Sequence, residues 1–220
     1  MIKTGCVALV EGDFKDVFAE FSDSSVGAIL TDPPYGRSFL HLYRPLFQAA
    51  GRVLKPGGDF VTIIPQYTIP DIAAWLCDTE LEWRWSIVMD QSEGPHPRLC
   101  NQQHNIEVLH KLMGWMYKKG GPPDYRNVKD LYVNDPKGND HGNEWTQSDS
   151  WAQYLVGTFG VGRDLVVDPM VGTGTILVEC LLRGISAIGI DNDPEQIKRA
   201  ADRLAAVYEA VGDVTPDADL

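Results

Sequence analysis

Short apolar runs alternate with amphipathic stretches along most of this chain. Runs of the length and composition typical of buried strands occupy 7–10, 26–31, 60–64, 83–89, 165–167 and 186–190. Between them, apolar residues recur at helical spacing, which predicts helices over 14–21, 39–54, 70–78, 148–159, 174–183 and 194–210. Because strands and helices alternate, we predict an α/β fold with a doubly wound, mostly parallel sheet.

The segment from about 90 to 145 interrupts this alternation. Turn-forming glycines, prolines and Asn-Asp pairs are concentrated in it, and only 106–113 has the pattern of a regular strand. We interpret residues 1–211 as a single domain in which 113–145 is a loop-rich insertion, a candidate for target recognition. The acidic, proline-containing tail 212–220 is expected to be frayed.

Length and composition are those of an ordinary soluble domain. The 220 residues are 44% hydrophobic and 23% charged, which is enough for one substantial core. No stretch approaches the roughly 20 apolar residues of a membrane helix, and the N-terminus does not resemble a signal peptide. The four cysteines are scattered without a C-x-x-C pair. We therefore expect a cytoplasmic protein with reduced thiols, no metal site and no membrane contact.

The net charge of −12 is unfavourable for a protein that contacts nucleic acid, because lysine and arginine supply affinity for phosphates. Residues 84–145, however, carry as many basic as acidic side chains, so the whole excess lies elsewhere. If any surface of the protein contacts a polyanion, this middle segment is the better candidate. Since a small neutral segment covers little of such a ligand, a homodimer or a separate recognition partner stays open.

A first motif, Thr-Asp-Pro-Pro-Tyr-Gly, occupies 31–36 directly after a predicted strand. Prolines lack N–H groups and stop a strand, so Asp32, Pro33, Pro34 and Tyr35 gather a carboxylate, carbonyl oxygens and an aromatic ring. Open α/β sheets bind ligands at this end of their strands. Such groups can hold a flat molecule by its face and its amino edge.

A second motif, Val-Val-Asp-Pro-Met-Val-Gly-Thr-Gly-Thr, occupies 166–175 and leads from a strand through a glycine turn into a helix. Glycines let a backbone pass close to a ligand, and helix N–H groups from Thr175 onward could receive a carboxylate. Asp191 ends the next strand and could accept hydrogen bonds from ribose hydroxyls. A dinucleotide fingerprint would require glycine at the position of Leu177. A ligand with a ribose but no pyrophosphate, such as S-adenosylmethionine, fits better.

Together the two motifs resemble those of the amino-group DNA methyltransferases, in the permuted β group in which D-P-P-Y precedes D-P-F-x-G-x-G-T. The segments 11–13, 54–58 and 105–109 resemble the flanking parts of that family. The resemblance implies a Rossmann-like methyltransferase fold, S-adenosylmethionine as the cofactor and double-stranded DNA as the substrate. The cofactor contacts that it implies are Asp13, Thr146, Gln147, Asp168, Pro169, Met170, Gly172, Gly174, Thr175 and Asp191.

The chain departs from the family pattern at two places. Met170 stands where the family has phenylalanine, and a soft apolar side chain can still pack on a cofactor. Ser148 and Asp149 replace the Lys-Pro of a T-Q-K-P segment that precedes the cofactor strand in the family. The second change puts contacts to the cofactor's carboxylate in doubt.

The first motif also suggests a mechanism. An exocyclic amine is a poor nucleophile, because its lone pair is delocalised into the ring. The Asp32 carboxylate and the Pro33 carbonyl could accept its two N–H bonds and direct the lone pair at a methyl donor, while Tyr35 stacks on the base. A base inside a duplex must first swing out, and Arg37 and His41 could then contact the backbone or the emptied stack.

Simpler interpretations and other functions remain. Asp13 is equally well explained as a helix cap, and Arg37 and His41 as ordinary surface residues. Asp32 rather than serine at the first position favours adenine N6 as the target, since the resemblance associates serine with cytosine N4. Cytosine-N4 methylation, methylation of RNA or a protein amide, and a non-catalytic subunit of a methyltransferase complex remain alternatives, as does a place in restriction-modification.

Overall fold

The computed structural model describes residues 6–90, 99–101, 106–122, 126–133 and 149–212. The strands in these residues are β1 Val7–Glu11, β2 Val26–Thr31, β3 Leu54–Ile64, β4 Leu81–Asp90, β5 Leu99–Asn101, β6 Ile106–Val108, β7 His110–Lys118, β8 Leu131–Val133, β9 Val166–Asp168 and β10 Ala187–Asp191. The α-helices are α1 Phe14–Ala19, α2 Tyr43–Val53, α3 Ile69–Leu76, α4 Asp149–Leu155, α5 Thr175–Leu182 and α6 Pro194–Gly212. None of these helices is long and apolar enough to span a membrane.

Eight of the strands form one sheet in the order β1-β10-β9-β2-β3-β7-β4-β8. Strands β1, β10, β9, β2 and β3 run parallel to one another. Strand β7 enters between β3 and β4 and is antiparallel to both, whereas β8 is parallel to β4. Strands β5 and β6 pair separately. The predicted α/β fold with a mostly parallel sheet is confirmed.

Helices cover both faces of the sheet, and each face has its own apolar core. On one face, side chains of α4 and α5 such as Leu155 and Leu177 pack with Phe159 and Ala187. On the other face, α1 and α2 contribute buried aromatic residues, among them Phe18, Phe47 and Tyr43. This two-faced burial explains why the central strands β2 and β9 and the second half of β3 are continuous apolar runs rather than alternating ones.

Three predicted elements have different boundaries in the structure. The helix predicted over 39–54 begins as a 3₁₀ helix, Arg37–Leu42, and its α-helical part ends at Val53. Residues 55–58 do not leave the sheet but form a bulge within β3, because Val26 pairs with Leu54 and Ala28 with Asp59. Helix α4 ends at Leu155 and continues as a π-helical turn to Gly160.

The largest difference concerns β7, which continues to Lys118 and lies inside the sheet, well past position 113. Its residues 113–116 are all buried, since the strand is flanked on both sides and covered on both faces. Gly114 interrupts the apolar run because a Cβ there would lie 2.8 Å from the Trp83 ring. The first six residues of the predicted insertion therefore belong to the sheet.

A buried carboxylate stabilises the sheet in the middle of β3. Asp59 is fully buried and accepts hydrogen bonds from the Trp115 indole at 2.8 Å and from the Arg126 guanidinium at 2.7 Å. Arg163 forms a second ion pair with the same carboxylate. The paired arginines offset the cost of burying the charge.

Candidate active site

The two sequence motifs meet at one edge of the sheet. Strands β2 and β9 are parallel neighbours, with Ala28 opposite Val166 and Ile29 opposite Val167. Their C-terminal ends therefore lie side by side, and Asp32 and Asp168 stand at those ends. We call the residues 32–36 the target corner and the residues 168–175 the glycine corner.

The target corner is closed by hydrogen bonds. The Tyr35 hydroxyl donates to Asp32 Oδ1, and the Tyr67 hydroxyl donates to the Tyr35 carbonyl. From strand β7, Lys111 Nζ donates to the Tyr35 hydroxyl at 3.0 Å and lies 4.7 Å from the centre of the Tyr35 ring. Pro33 is buried and Pro34 partly buried, which leaves the corner as a rigid bend.

Lys111 contacts this corner and Tyr43 lies near it, and sequence reasoning missed both residues. Burial lowers the pKa of the Lys111 ammonium, and the Asp32 charge acts in the opposite direction. Burial raises the pKa of the Tyr43 phenol, with further contributions from Asp32 and Tyr67. Within the described residues, the buried Tyr43 hydroxyl has no hydrogen-bond partner. For Lys111, the only signal in the sequence was a lysine at the start of an apolar strand.

The predicted DNA contacts Arg37 and His41 lie on the 3₁₀ helix that follows the target corner, and both are exposed. The Arg37 guanidinium stacks over the Tyr67 ring, 5.1 Å from its centre. His41 Nδ1 lies 2.7 Å from the Ser38 carbonyl oxygen. Both side chains are close to the corner and reach solvent, and their contact with DNA stays a prediction.

The glycine corner has the backbone that its sequence predicts. Gly172 and Gly174 have φ angles of 50° and 81°, in the left-handed region that favours glycine. A Cβ on Gly174 would lie 3.0 Å from Cβ of Ala200 on α6, whereas a Cβ on Gly172 would meet no described atom within 4 Å. The turn is therefore packed against protein at Gly174 and faces open space at Gly172. A ligand lying against Gly172 would have room.

Asp191, at the end of β10, is joined directly to the glycine corner. Its Oδ2 accepts a hydrogen bond from the Gly172 N–H at 2.9 Å, and its Oδ1 accepts one from the Asp193 N–H at 3.0 Å. Its carbonyl oxygen accepts the Gly12 N–H at 2.8 Å, which brings the end of β1 to the same place. Asp13 caps α1 through the Lys15 N–H. The cap explains Asp13 without a ligand, and its cofactor contact stays a prediction.

Asp168 is buried at the end of β9, beside the end of β2. The pKa of its carboxyl group is raised to about 7, chiefly by burial and in smaller part by the charges of Asp191 and Asp32. The Thr31 hydroxyl and the Met170 N–H act in the opposite direction. The Met170 N–H also fixes the carboxyl group, at 3.2 Å from Oδ1. Three carboxyl groups therefore converge at this edge, which favours a positively charged ligand.

Arg203, which sequence reasoning also missed, connects the glycine corner to helices α4 and α6. Its guanidinium donates to the Thr173 carbonyl at 2.9 Å, to Thr175 Oγ1 at 3.0 Å and to Asp149 Oδ1 at 3.3 Å. Asp149 is one of the residues that replace Lys-Pro in the family pattern. The predicted contacts Thr146 and Gln147 lie outside the described residues.

Other features of the described residues do not add to this site. No group of three or more His, Cys, Asp and Glu side chains comes together there in a way that could hold a metal ion. A cavity of about 400 Å³ is lined by β4, β7 and residues 126–130, including Arg84 and Trp85. None of its lining residues belongs to either corner, so we place the candidate active site at the edge where the corners meet.

Comparison with known proteins gives a short match in sequence and a long one in structure. No model of a known protein family matches the chain. A segment of 41 residues is 49% identical to type II methyltransferase M.MjaII of Methanocaldococcus jannaschii. The matched segment covers 19% of this chain and 8% of that protein. The matched segment is too short for the activity of that protein to be transferred to this chain.

Solved structures match over nearly the whole length. The M1.HpyAVI-SAM complex is 22% identical and covers 90% of this chain and 98% of its own, with a TM-score of 0.73. TTHA0409 from Thermus thermophilus, complexed with S-adenosyl-L-methionine, is 19% identical over 92% of this chain and 95% of its own, with a TM-score of 0.71. PvuII DNA methyltransferase, which is cytosine-N4-specific, is 13% identical over 97% and 95%, with a TM-score of 0.74. The chain shares the fold of these proteins.

Proposed function

We propose that this protein is an S-adenosylmethionine-dependent DNA methyltransferase that modifies an exocyclic amino group, most specifically N6 of adenine. The observation that carries the proposal is the pairing of β2 with β9, which brings the target corner and the glycine corner to one edge of the sheet. Direct transfer of a methyl group requires two binding sites that share a crevice. The fold shared with PvuII and the M1.HpyAVI-SAM complex supports the same function.

At the target corner, the protein would act by orientation and by charge. Asp32 and the Pro33 carbonyl would accept the two N–H bonds of the amine, which directs the nitrogen lone pair into the crevice. As the new nitrogen–carbon bond forms and the bond from the methyl group to its sulfur donor breaks, positive charge develops on that nitrogen, and the Asp32 carboxylate would stabilise it. The methylated nitrogen would then release one proton to solvent. Tyr35 would hold the base by stacking. Because a paired base cannot reach this corner, the nucleotide must leave the duplex.

The residues present at the glycine corner fit S-adenosylmethionine. The open space at Gly172 would receive its adenosine part, Asp191 would bind the ribose hydroxyls, and Met170 would provide an apolar contact. The converging carboxyl groups of Asp168, Asp191 and Asp32 suit a ligand that carries a sulfonium cation. When bound, the cofactor supplies an electrophilic methyl group. The protein would hold the two reacting groups in line.

Adenine N6 is proposed as the target because Asp32, rather than a serine, occupies the first position of the D-P-P-Y sequence. Cytosine N4 is the second candidate, since the cytosine-N4-specific PvuII enzyme has the same fold. Mass spectrometry of nucleosides from unmethylated plasmid DNA, treated with the purified protein and the cofactor, separates them. N6-methyladenine is the expected product, and N4-methylcytosine alone would reverse the choice of base.

A matched pair of variants makes this experiment specific to the site. Asp32→Ala should abolish product formation while leaving cofactor affinity, measured by calorimetry, close to that of the wild-type protein. Asp16→Ala removes an exposed aspartate of α1 and should leave both measurements unchanged. Parallel reactions with structured RNA and with protein substrates test the other classes of substrate. Label transfer to these substrates only would exclude DNA, and absence of cofactor binding would favour a non-catalytic subunit.

A further inference from the structure

Lys111 is joined to the target corner although it lies on a distant part of the chain. Its Nζ donates to the Tyr35 hydroxyl at 3.0 Å, and that hydroxyl donates in turn to Asp32 Oδ1. The ammonium also lies 4.7 Å from the centre of the Tyr35 ring. Two consecutive hydrogen bonds thus connect a lysine of the sheet to the carboxylate that would bind the amine.

We propose that Lys111 is a positioning residue, which fixes the Tyr35 ring and, through the Tyr35 hydroxyl, the orientation of the Asp32 carboxylate. The inference rests on the proposed function, because it assigns the role of Lys111 within the same corner. Lys111 itself does not touch the base in this assignment. It acts on two side chains that do.

The physical argument begins with the freedom of the two partners. Tyr35 follows two prolines on a loop, and its side chain has staggered alternatives that would each place the ring differently. A bond from the ammonium to the phenol oxygen selects one of them. The same bond polarises the O–H group and strengthens its bond to Asp32, because bonds from charged donors are stronger and consecutive hydrogen bonds reinforce one another. Once Oδ1 is held, the carboxylate group cannot rotate freely.

The anchor itself is rigid. Lys111 is near the start of β7, in register with Met89 of β4, and the strand is bonded on both sides within the sheet. The preceding residue, His110, has its Nε2 at 2.9 Å from Nε2 of Gln66. A site supported by a central strand holds its geometry better than one supported by a loop. The Asp32 charge, which opposes the effect of burial on the Lys111 pKa, favours the ammonium form.

A double-mutant cycle tests the proposal. The variants are Lys111→Met, which removes the charge and the donor at similar volume, Tyr35→Phe, which removes the linking hydroxyl, and the combination of both. Lys119→Met removes an exposed lysine on the turn after the same strand and serves as the matched control. Initial rates are measured on unmethylated plasmid DNA at varied DNA and cofactor concentrations. Thermal unfolding and cofactor calorimetry establish that each variant is folded.

Lys111→Met should lower kcat by about 10- to 100-fold, the range expected when a reacting group is misplaced, with the KM for DNA and the cofactor Kd nearly unchanged. In the Tyr35→Phe background the same substitution should cost less than about threefold, because residues that act through one another are not additive. Equal losses in both backgrounds would overturn the proposal. So would a Lys111→Met enzyme as active as the Lys119→Met control.

A second measurement does not depend on activity. In protein labelled with ¹³C-tyrosine, the signals of Tyr35 are identified by their loss in Tyr35→Phe, and Lys111→Met should shift or broaden them. Unchanged Tyr35 signals would refute the proposal even if no DNA were methylated. If the wild-type protein transfers no methyl group while these signals do respond, the proposed function fails but the contact between Lys111 and Tyr35 stands.

Discussion

Replacing each glycine of the glycine corner by alanine should separate the ligand-facing side of the turn from the side packed on protein. Both glycines have a positive φ angle, so each substitution carries a backbone cost of about 1–2 kcal/mol, partly offset by the stiffer unfolded chain. For Gly172→Ala that is the whole cost, because the new methyl group meets no described atom within 4 Å. We therefore expect a loss of about 1 kcal/mol in the free energy of unfolding.

Gly174→Ala should cost more. Its methyl group would lie 3.0 Å from Cβ and 3.3 Å from Cα of Ala200, so that α6 must move or the turn must distort. Overpacking of this kind adds about 1–3 kcal/mol, which gives a total of roughly 2–4 kcal/mol. For a domain of this size, each kcal/mol lowers the Tm by about 2–4 °C. The two variants should therefore differ clearly in urea and thermal unfolding.

Cofactor binding should follow the opposite order to stability, so that Gly172→Ala weakens it more than Gly174→Ala does. In Gly172→Ala the new methyl group enters the space assigned to S-adenosylmethionine. We expect a Kd about tenfold weaker, which corresponds to a loss of about 1.4 kcal/mol in binding free energy. Calorimetry with the cofactor, together with urea unfolding followed by circular dichroism, measures both quantities on the same samples. The reasoning is refuted if Gly172→Ala binds the cofactor like the wild-type protein, or if it is the less stable of the two.

Three further outcomes follow from the geometry. Asp59→Asn should lower the free energy of unfolding by roughly 3 kcal/mol, since it leaves two partly buried arginines and the buried Trp115 indole without their carboxylate. Urea unfolding should detect this without a change in cofactor Kd. Asp168 has a folded-state pKa raised to about 7, so its contribution to stability is present below the unfolded-state pKa and is lost as the pH rises toward 7. Asp168→Asn should therefore gain stability relative to the wild-type protein between about pH 4 and pH 7, and a constant difference would contradict the assigned pKa. Asp191→Ala should weaken cofactor binding more than Asp32→Ala does, because Asp191 Oδ2 accepts the Gly172 N–H and so holds the glycine corner. Equal cofactor Kd values for the two variants would exclude a role of Asp191 in cofactor binding.

The elements that support the site were accessible from local sequence. Buried strands of a parallel sheet are continuous apolar runs, which made 26–31 and 186–190 recognisable. The glycine turn was predicted from two glycines between a strand and a helix, and both have positive φ angles in the structure. Strand β7 was predicted too short because a glycine interrupts its apolar run. That glycine is required by the Trp83 side chain of a neighbouring strand, which no local pattern reveals.

By itself, the sequence determined the α/β class, the order of the elements and the two motifs that follow strands, because periodicity, prolines and glycines act over a few residues. Only the tertiary structure decided that β2 and β9 are neighbours, that β7 enters the sheet in the antiparallel direction, and that Lys111 and Arg203 reach the two corners. These contacts join residues far apart along the chain. Their formation depends on how whole elements pack and pair, and a single sequence carries no local signal for that.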